Sequence, residues 1–281
     1  MSILKSWVNG EPGDSISIFD RGFLYGHTLF ETITVVAGKP RLIDFHFARL
    51  AKSCSALLIE CDVSLIRAEL DEFCSDLDQA IVRLTLSVGE GGRGYKTPDK
   101  VSVTRVMAAY ERVARPVADY EQGVTVGTIN SPLSAQSFLA GHKHGNRLEQ
   151  IMLREQWQTH WQEALVYDAQ GGLIEATQAN VLLRTANHVI TPDLAHSGVV
   201  GVMRDFALSQ LSSAGYSSQE QQVEQSDLLG AEEVILTNSV VGALPVSELR
   251  NASDEVIKTF DAQDFTLSRV INERLLSHGM V

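Results

Sequence analysis

The chain has 281 residues and a formal net charge of −12, enough length for about two domains with substantial cores. Such an acidic balance argues against general binding to nucleic acid or to an anionic membrane, but leaves room for a small anion held by a few arginines. The three cysteines, Cys54, Cys61 and Cys74, form no CxxC pair and no disulfide framework, and read as small buried apolar residues of a reducing compartment. Met1 to Pro12 has no apolar leader and no run reaches transmembrane length, so a soluble cytoplasmic protein is expected.

Residues 3–8 and 15–19 read as short strands around the turn at 9–13. A glycine-punctuated segment, Asp20 to His27, leads into a β-branched strand over 28–36. Ala37-Gly38-Lys39-Pro40 turns that strand back, and Asp44 is placed to cap a helix with Phe47, Ala51, Cys54 and Leu58 at helical spacing. His46 and Arg49 lie at i and i+3 on another face of that helix. A second helix covers roughly 64–77. The alternation of Val82, Leu84, Leu86 and Val88 marks a strand over 81–88, followed by the loop Gly89 to Tyr95 and a strand over 101–109.

The pattern breaks around Arg115-Pro116, which divides the chain into a smaller N-terminal α/β domain (1–115), a linker (116–122) and a larger C-terminal domain (123–281). The second half opens with a strand at 123–129 and a loop to Lys143. A helix is expected over 146–160, with Asn146 and Glu149 as a capping box. A hairpin follows, 164–167 and 173–183, then a short strand at 189–192, a helix over 204–213, a strand at 233–236 and a closing amphipathic helix over 262–277. Without a strict βαβ alternation, the reading is α+β, or mixed α/β, in two domains.

Four features carry chemistry. Lys143 stands between Gly141 and Gly145, just before the expected helix start, where the helix dipole and any desolvation would disfavour an ammonium and favour a nucleophilic amine. Glu175 is a carboxylate in an otherwise apolar strand; if buried it needs a cation or a donor, such as the protonated ring nitrogen of a pyridoxal cofactor. Gly198 to Met203 and Thr237 to Ser239 supply backbone amides and a hydroxyl suited to phosphate, with Arg49 as a source of charge. Arg93, in the glycine loop beside Tyr95, suits a substrate carboxylate. Each of these residues also has a plainer reading as a solvated surface group. His27, His46, His142 and His144 form no zinc pattern, so no metal is expected, and neither a serine-hydrolase elbow nor a Walker loop is present.

Taken together, Asp20-Arg21-Gly22 with Tyr25-Gly26 and Phe30-Glu31-Thr32, His46-x-x-Arg49-Leu50, Lys143-x-x-Asn146-Arg147-Leu148-Glu149, Ile174-Glu175-x5-Val181, Gly201-Val202-x-Arg204-Asp205 and Thr237-Asn238-Ser239 with Leu244-Pro245-Val246 resemble the class IV (fold type IV) aminotransferase superfamily. That superfamily holds branched-chain aminotransferases, D-amino-acid aminotransferases and 4-amino-4-deoxychorismate lyases. Gly92-Arg93-Gly94-Tyr95 and Leu139-Ala140-Gly141-x-Lys143-His144-x-Asn146 to Gln150 are most similar to the lyases.

The resemblance implies a D-amino-acid-aminotransferase-like fold with pyridoxal 5′-phosphate covalently carried by Lys143. It implies that Glu175 keeps the ring nitrogen protonated. Arg49, the Val202 and Met203 amides and the Asn238–Ser239 region would hold the phosphate. Arg93, with Tyr95 and Phe30, would meet the substrate, aminodeoxychorismate, in a homodimer. Two departures stand out: many relatives have Gly-Asp-Gly at Gly26-His27-Thr28, with a bulkier residue at Gly145, and the superfamily's aminotransferases often have tyrosine at Phe30 and near Arg147. The alternatives are a class IV transaminase for D-amino or branched-chain amino acids, and a non-catalytic binder of pyridoxal phosphate or another anion.

Overall fold

The structure is a computed structural model that describes residues 2–277. It divides into two compact units, Met1–Val113 with His142–Arg147, and Ala114–Gly141 with Leu148–Val281. Lys143 therefore folds with the first unit, not with the C-terminal domain as expected. The reason is local: its segment pairs with a strand of that unit.

In the first unit, β1 (Ile3–Val8), β2 (Glu11–Pro12), β3 (Thr28–Val36), β4 (Lys39–Pro40), β5 (Gln79–Ser87) and β6 (Thr104–Glu111) form a sheet in the order β2-β1-β6-β5-β3-β4. The expected strand at 15–19 does not form, because β1 takes the two-residue β2 as its hairpin partner. The glycine-punctuated segment that follows forms a short helix, α1 (Arg21–Tyr25). Asp20 caps it by accepting from the Gly22 amide, and Gly26 ends it at φ +67°. Helices α2 (Ile43–Ala56) and α3 (Val63–Cys74) complete the unit. The α2 N-cap is Leu42 at φ +50°, not Asp44, whose carboxylate pairs with Arg67 instead. Strand alternation explains the packing: Leu29, Ile33 and Val35 of β3 and Ala80, Val82, Leu84 and Leu86 of β5 share one core with Phe47, Leu50, Leu70 and Phe73 of the helices.

The second unit contains α4 (Val117–Glu121), β7 (Val124–Thr128), α5 (Leu148–Arg154), β8 (Glu163–Tyr167), β9 (Leu173–Ala176), β10 (Asn180–Thr185), β11 (His188–Pro192), α6 (Val202–Leu211), β12 (Ser217–Gln221), α7 (Gln225–Gly230), β13 (Glu233–Asn238), β14 (Gly242–Arg250), β15 (Val256–Thr259) and α8 (Thr266–Ser277). Its sheet runs β12-β11-β10-β13-β14-β7-β8-β9, with β15 paired to β14. The single strand expected over 173–183 is two strands, because Ala176 and Ala179 exchange hydrogen bonds across a tight turn. The polar β12 escapes hydropathy reading; it is held by parallel pairing to β11. No helix among the described residues is long and apolar enough to cross a membrane.

Phe73 is fully buried and packs edge-on against Trp7 at 5.3 Å. Phe73→Ala is expected to destabilise the first unit by about 3–5 kcal/mol, read as a lowered denaturation midpoint.

Candidate active site

Lys143 lies in an extended segment at the edge of β3. The Phe30 amide donates to the Lys143 carbonyl (3.0 Å), and the Gly145 amide donates to the Thr28 carbonyl (2.9 Å). Arg147 fixes the same segment from its other side, with Nε donating to the His144 carbonyl (2.8 Å) and Nη2 to the His142 carbonyl (3.0 Å). Helix α5 begins only at Leu148, so the helix-terminus argument for Lys143 does not apply. The expected capping box is absent as well. The Asn146 side chain donates to the Gly26 carbonyl (3.1 Å), and the Glu149 carboxylate accepts from the Ser134 amide (2.8 Å).

The two departures at Thr28 and Gly145 compensate each other. A Cβ on Gly145 would stand 1.8 Å from Thr28 Oγ1, so the larger residue on β3 requires the smaller one beside Lys143. Similarly, a Cβ on Gly26 would stand 2.1 Å from Asn146 Oδ1. These close approaches hold the segment in register.

The Lys143 ammonium nitrogen lies 4.5 Å from the centre of the buried Phe30 ring. The guanidinium of Arg83, from β5, covers the same ring at 3.8 Å, and that of Arg147 stands at 6.0 Å. Arg83 was not singled out from the sequence. The available signal was strand alternation, which puts Arg83 on the same face as Phe30 through the Thr32–Arg83 register.

Glu31 lies on the opposite, apolar face of β3, among Leu29, Ile33 and Val35. A carboxylate there needs partners. Arg49 Nε donates to Glu31 Oε1 (2.9 Å), and a second Arg49 nitrogen and His46 Nδ1 (2.6 Å) meet Oε2. Burial opposes the charge, but Arg49 and His46 outweigh it and hold the Glu31 carboxyl at about 2. His46 Nε2 is buried with no hydrogen-bond partner, and burial lowers the pKa of His46. On the far side of Lys143, burial with Arg147 and His142 pulls His144 down to about 4, so it is neutral at pH 7 and accepts from the Asn146 amide (3.2 Å).

The glycine loop belongs to this unit too. Arg21 donates to the Gly94 and Tyr95 carbonyls (3.0 Å each), and Tyr25 meets Tyr95 edge-on at 5.8 Å. Arg93 and Tyr95 are exposed.

The second unit carries the remaining expected residues. Glu175 is buried on β9, and its Oε2 accepts from the Val199 amide (2.9 Å). Gly198, at φ +80°, allows that approach, since a Cβ there would meet Ile174 at 2.9 Å and Glu175 Oε2 at 3.1 Å. Gly201 opens α6 with no side-chain cap, so the first-turn amides of Val202 and Met203 lack one. The Asn238 carboxamide is turned inward: Oδ1 accepts from the Val240 (2.9 Å) and Val241 (3.0 Å) amides, and Nδ2 donates to the Gln178 carbonyl (3.1 Å). Its side chain shapes the turn that carries Ser239. Next to it, Thr237 Oγ1 is buried and has no hydrogen-bond partner.

These residues fit a phosphorylated pyridine cofactor. An uncapped helix start is an anion site, a buried carboxylate suits a protonated ring nitrogen, and an orphaned buried hydroxyl awaits an acceptor. Among the described residues no group of three or more His, Cys, Asp and Glu could hold a metal ion.

Residues 28–249 match the class IV amino-transferase family. The chain belongs to that family, whose members work with pyridoxal 5′-phosphate. It is 34% identical over 254 residues to the aminodeoxychorismate lyase of Vibrio harveyi, covering 89% of this chain and 93% of that one. It is 29% identical to the aminodeoxychorismate lyase of Bacillus subtilis, over 88% of this chain and 87% of the relative. Among solved structures, the 4-amino-4-deoxychorismate lyase of Pseudomonas aeruginosa superposes with a TM-score of 0.91 at 35% identity, covering 98% of this chain and 100% of that one. The two-sheet architecture is thus fold type IV.

Two outcomes are expected from this geometry. Gly145→Ala lowers turnover about tenfold or more by displacing Lys143, and the double variant Gly145→Ala/Thr28→Gly recovers most of it, measured by steady-state kinetics. The Glu31 carboxyl is held at about 2 against an ordinary 4.5, so its stabilisation is full above 4.5 and is lost as pH falls toward 2. Glu31→Gln should therefore destabilise the protein by about 3 kcal/mol at pH 7 and flatten the acid-unfolding curve in that window, as read by urea melts across pH.

Proposed function

We propose that this chain is a pyridoxal-phosphate-dependent lyase that converts 4-amino-4-deoxychorismate to 4-aminobenzoate and pyruvate. The observation that carries the reading is the whole-chain likeness to the Pseudomonas aeruginosa lyase at 35% identity and a TM-score of 0.91. It is supported by Phe30 beneath the Lys143 amine, where class IV aminotransferases often have tyrosine.

When bound, pyridoxal phosphate supplies an electron sink for the pair left as a proton departs from the amine-bearing carbon. Lys143 would hold the cofactor through its side-chain amine and, as a free amine, would take that proton. Departure of the enolpyruvyl group then aromatises the ring, so the chain's task is mainly to orient the C–H and C–O bonds. Glu175, fixed by the Val199 amide, would keep the cofactor's ring nitrogen protonated. The Val202 and Met203 amides, Arg49 oriented by Glu31, and the Asn238–Ser239 turn would hold its phosphate. Arg83, Arg93, Tyr95 and Phe30 receive the substrate, with the guanidiniums meeting its carboxylates. The chain acts as a cytoplasmic homodimer, a state supported by exposed apolar side chains at Ile18, Phe19 and Phe23.

Given aminodeoxychorismate and no 2-oxo acid, the purified protein is expected to release pyruvate and 4-aminobenzoate in equal amounts. Lys143→Ala should abolish release, and Glu175→Gln should lower kcat by about 10²-fold or more. A cofactor-loaded protein that releases no pyruvate would sink the reading.

A further inference from the structure

The dipeptide Asp20-Arg21 meets the glycine loop at both its base and its tip. Asp20 is 1% exposed, and its carboxylate accepts from the Gly22 amide (2.7 Å), from Thr104 Oγ1 (2.7 Å) and from the Ser87 hydroxyl. Ser87 is the last residue of β5 and Thr104 the first of β6. One carboxylate therefore ties together the two strand ends from which the loop over 88–103 departs, and caps α1 at the same time.

Arg21, the first residue of α1, extends that anchorage along the loop. Its amide donates to the Gly89 carbonyl (2.8 Å), its Nη1 to the Gly94 carbonyl and its Nη2 to the Tyr95 carbonyl (3.0 Å each). One turn later, the Tyr25 hydroxyl accepts from the Gly94 amide (3.2 Å), and the Arg21 guanidinium lies 4.9 Å from the Tyr25 ring centre.

Arg21 is 2% exposed. Its charge is met by two carbonyl dipoles and a ring face, and Nε is buried without a hydrogen-bond partner. A buried guanidinium in that state depends on those carbonyls, since opening the loop would leave it with fewer acceptors. Gly91 makes room for the stem: a Cβ there would stand 2.7 Å from Arg21 Cδ and 3.0 Å from Cγ.

Arg93 sits directly before the two clamped carbonyls, and both Arg93 and Tyr95 are exposed. The clamp turns the backbone carbonyls inward and leaves those two side chains toward solvent. We propose that Arg21 is a positioning residue for substrate, holding the 89–95 loop in the conformation that presents Arg93 to a substrate carboxylate. The proposal rests on the lyase reading for the identity of that substrate.

The test is steady-state kinetics of pyruvate release by the cofactor-loaded protein, with hydrogen exchange of the loop as a readout independent of turnover. Arg21→Ala should raise KM about tenfold or more while kcat changes less than about threefold. Arg21→Lys, which replaces the two-pronged fork by a point charge, should lie between. Gly91→Ala should reproduce the rise in KM with the guanidinium retained, which keeps the test open should Arg21→Ala fold poorly. Arg93→Ala should also raise KM, and Arg21→Ala/Arg93→Ala should be no worse than Arg93→Ala alone, because Arg21 acts through it. Peptides covering 89–95 should exchange about tenfold faster in Arg21→Ala, with those covering 142–147 unchanged. KM effects that multiply in the double variant, a fall in kcat alone, or unchanged loop exchange would overturn the proposal. A parent chain that releases no pyruvate would sink the lyase reading, and loop exchange would then decide the clamp by itself.

Discussion

The position of the Lys143 amine depends on two backbone hydrogen bonds at the free edge of β3, from Phe30 to Lys143 and from Gly145 to Thr28. They tie an irregular segment to β3 through an isolated bridge at His144, and Arg147 closes the other side by binding the carbonyls on both flanks of Lys143. Backbone pairing is a stiff way to aim a long flexible side chain, because it leaves only the lysine rotamers to be decided. The Phe30 ring then limits those rotamers by lying against the ammonium.

Glu31 and Phe30 show how one strand serves two chemistries. Adjacent residues of a strand face opposite ways, so Phe30 meets Lys143 and Arg83 while Glu31 points into the helix-covered core. There the carboxylate is stabilised only because α2 presents His46 and Arg49 one turn apart. The same ion pair orients the arginine proposed for phosphate, so removing Glu31 would disturb the core and, with it, that proposed contact.

Much of the chemistry was legible from residue types in order. Lys143, Glu175, Arg49 and the Gly201–Met203 helix start read as an amine, a carboxylate, a cation and an anion cup, and their joint spacing resembled one family. Strand β5 was readable because its alternation is strong, and β3 because it is rich in β-branched residues. The polar β12 and the short β15 were not, since their stability comes from pairing with neighbours rather than from their own hydropathy. Arg83 was passed over for a similar reason: nothing local distinguishes it from any strand arginine until the register sets it over Phe30.

The sequence alone was enough for the mixed fold class, which depends on periodicity, and for a motif resemblance to one family, which depends on residue identity in order along the chain. Tertiary structure decided how the groups are held. Lys143 joined the first unit and not the second, and Asn146 and Glu149 left a plausible capping box for the Gly26 carbonyl and the Ser134 amide. A local rule ranks partners within one turn of helix, whereas folding brings donors and acceptors from distant residues into competition for them. Thr28 and Gly145 show the same physics sterically: 117 positions apart by their numbering, they share a space that holds only one side chain.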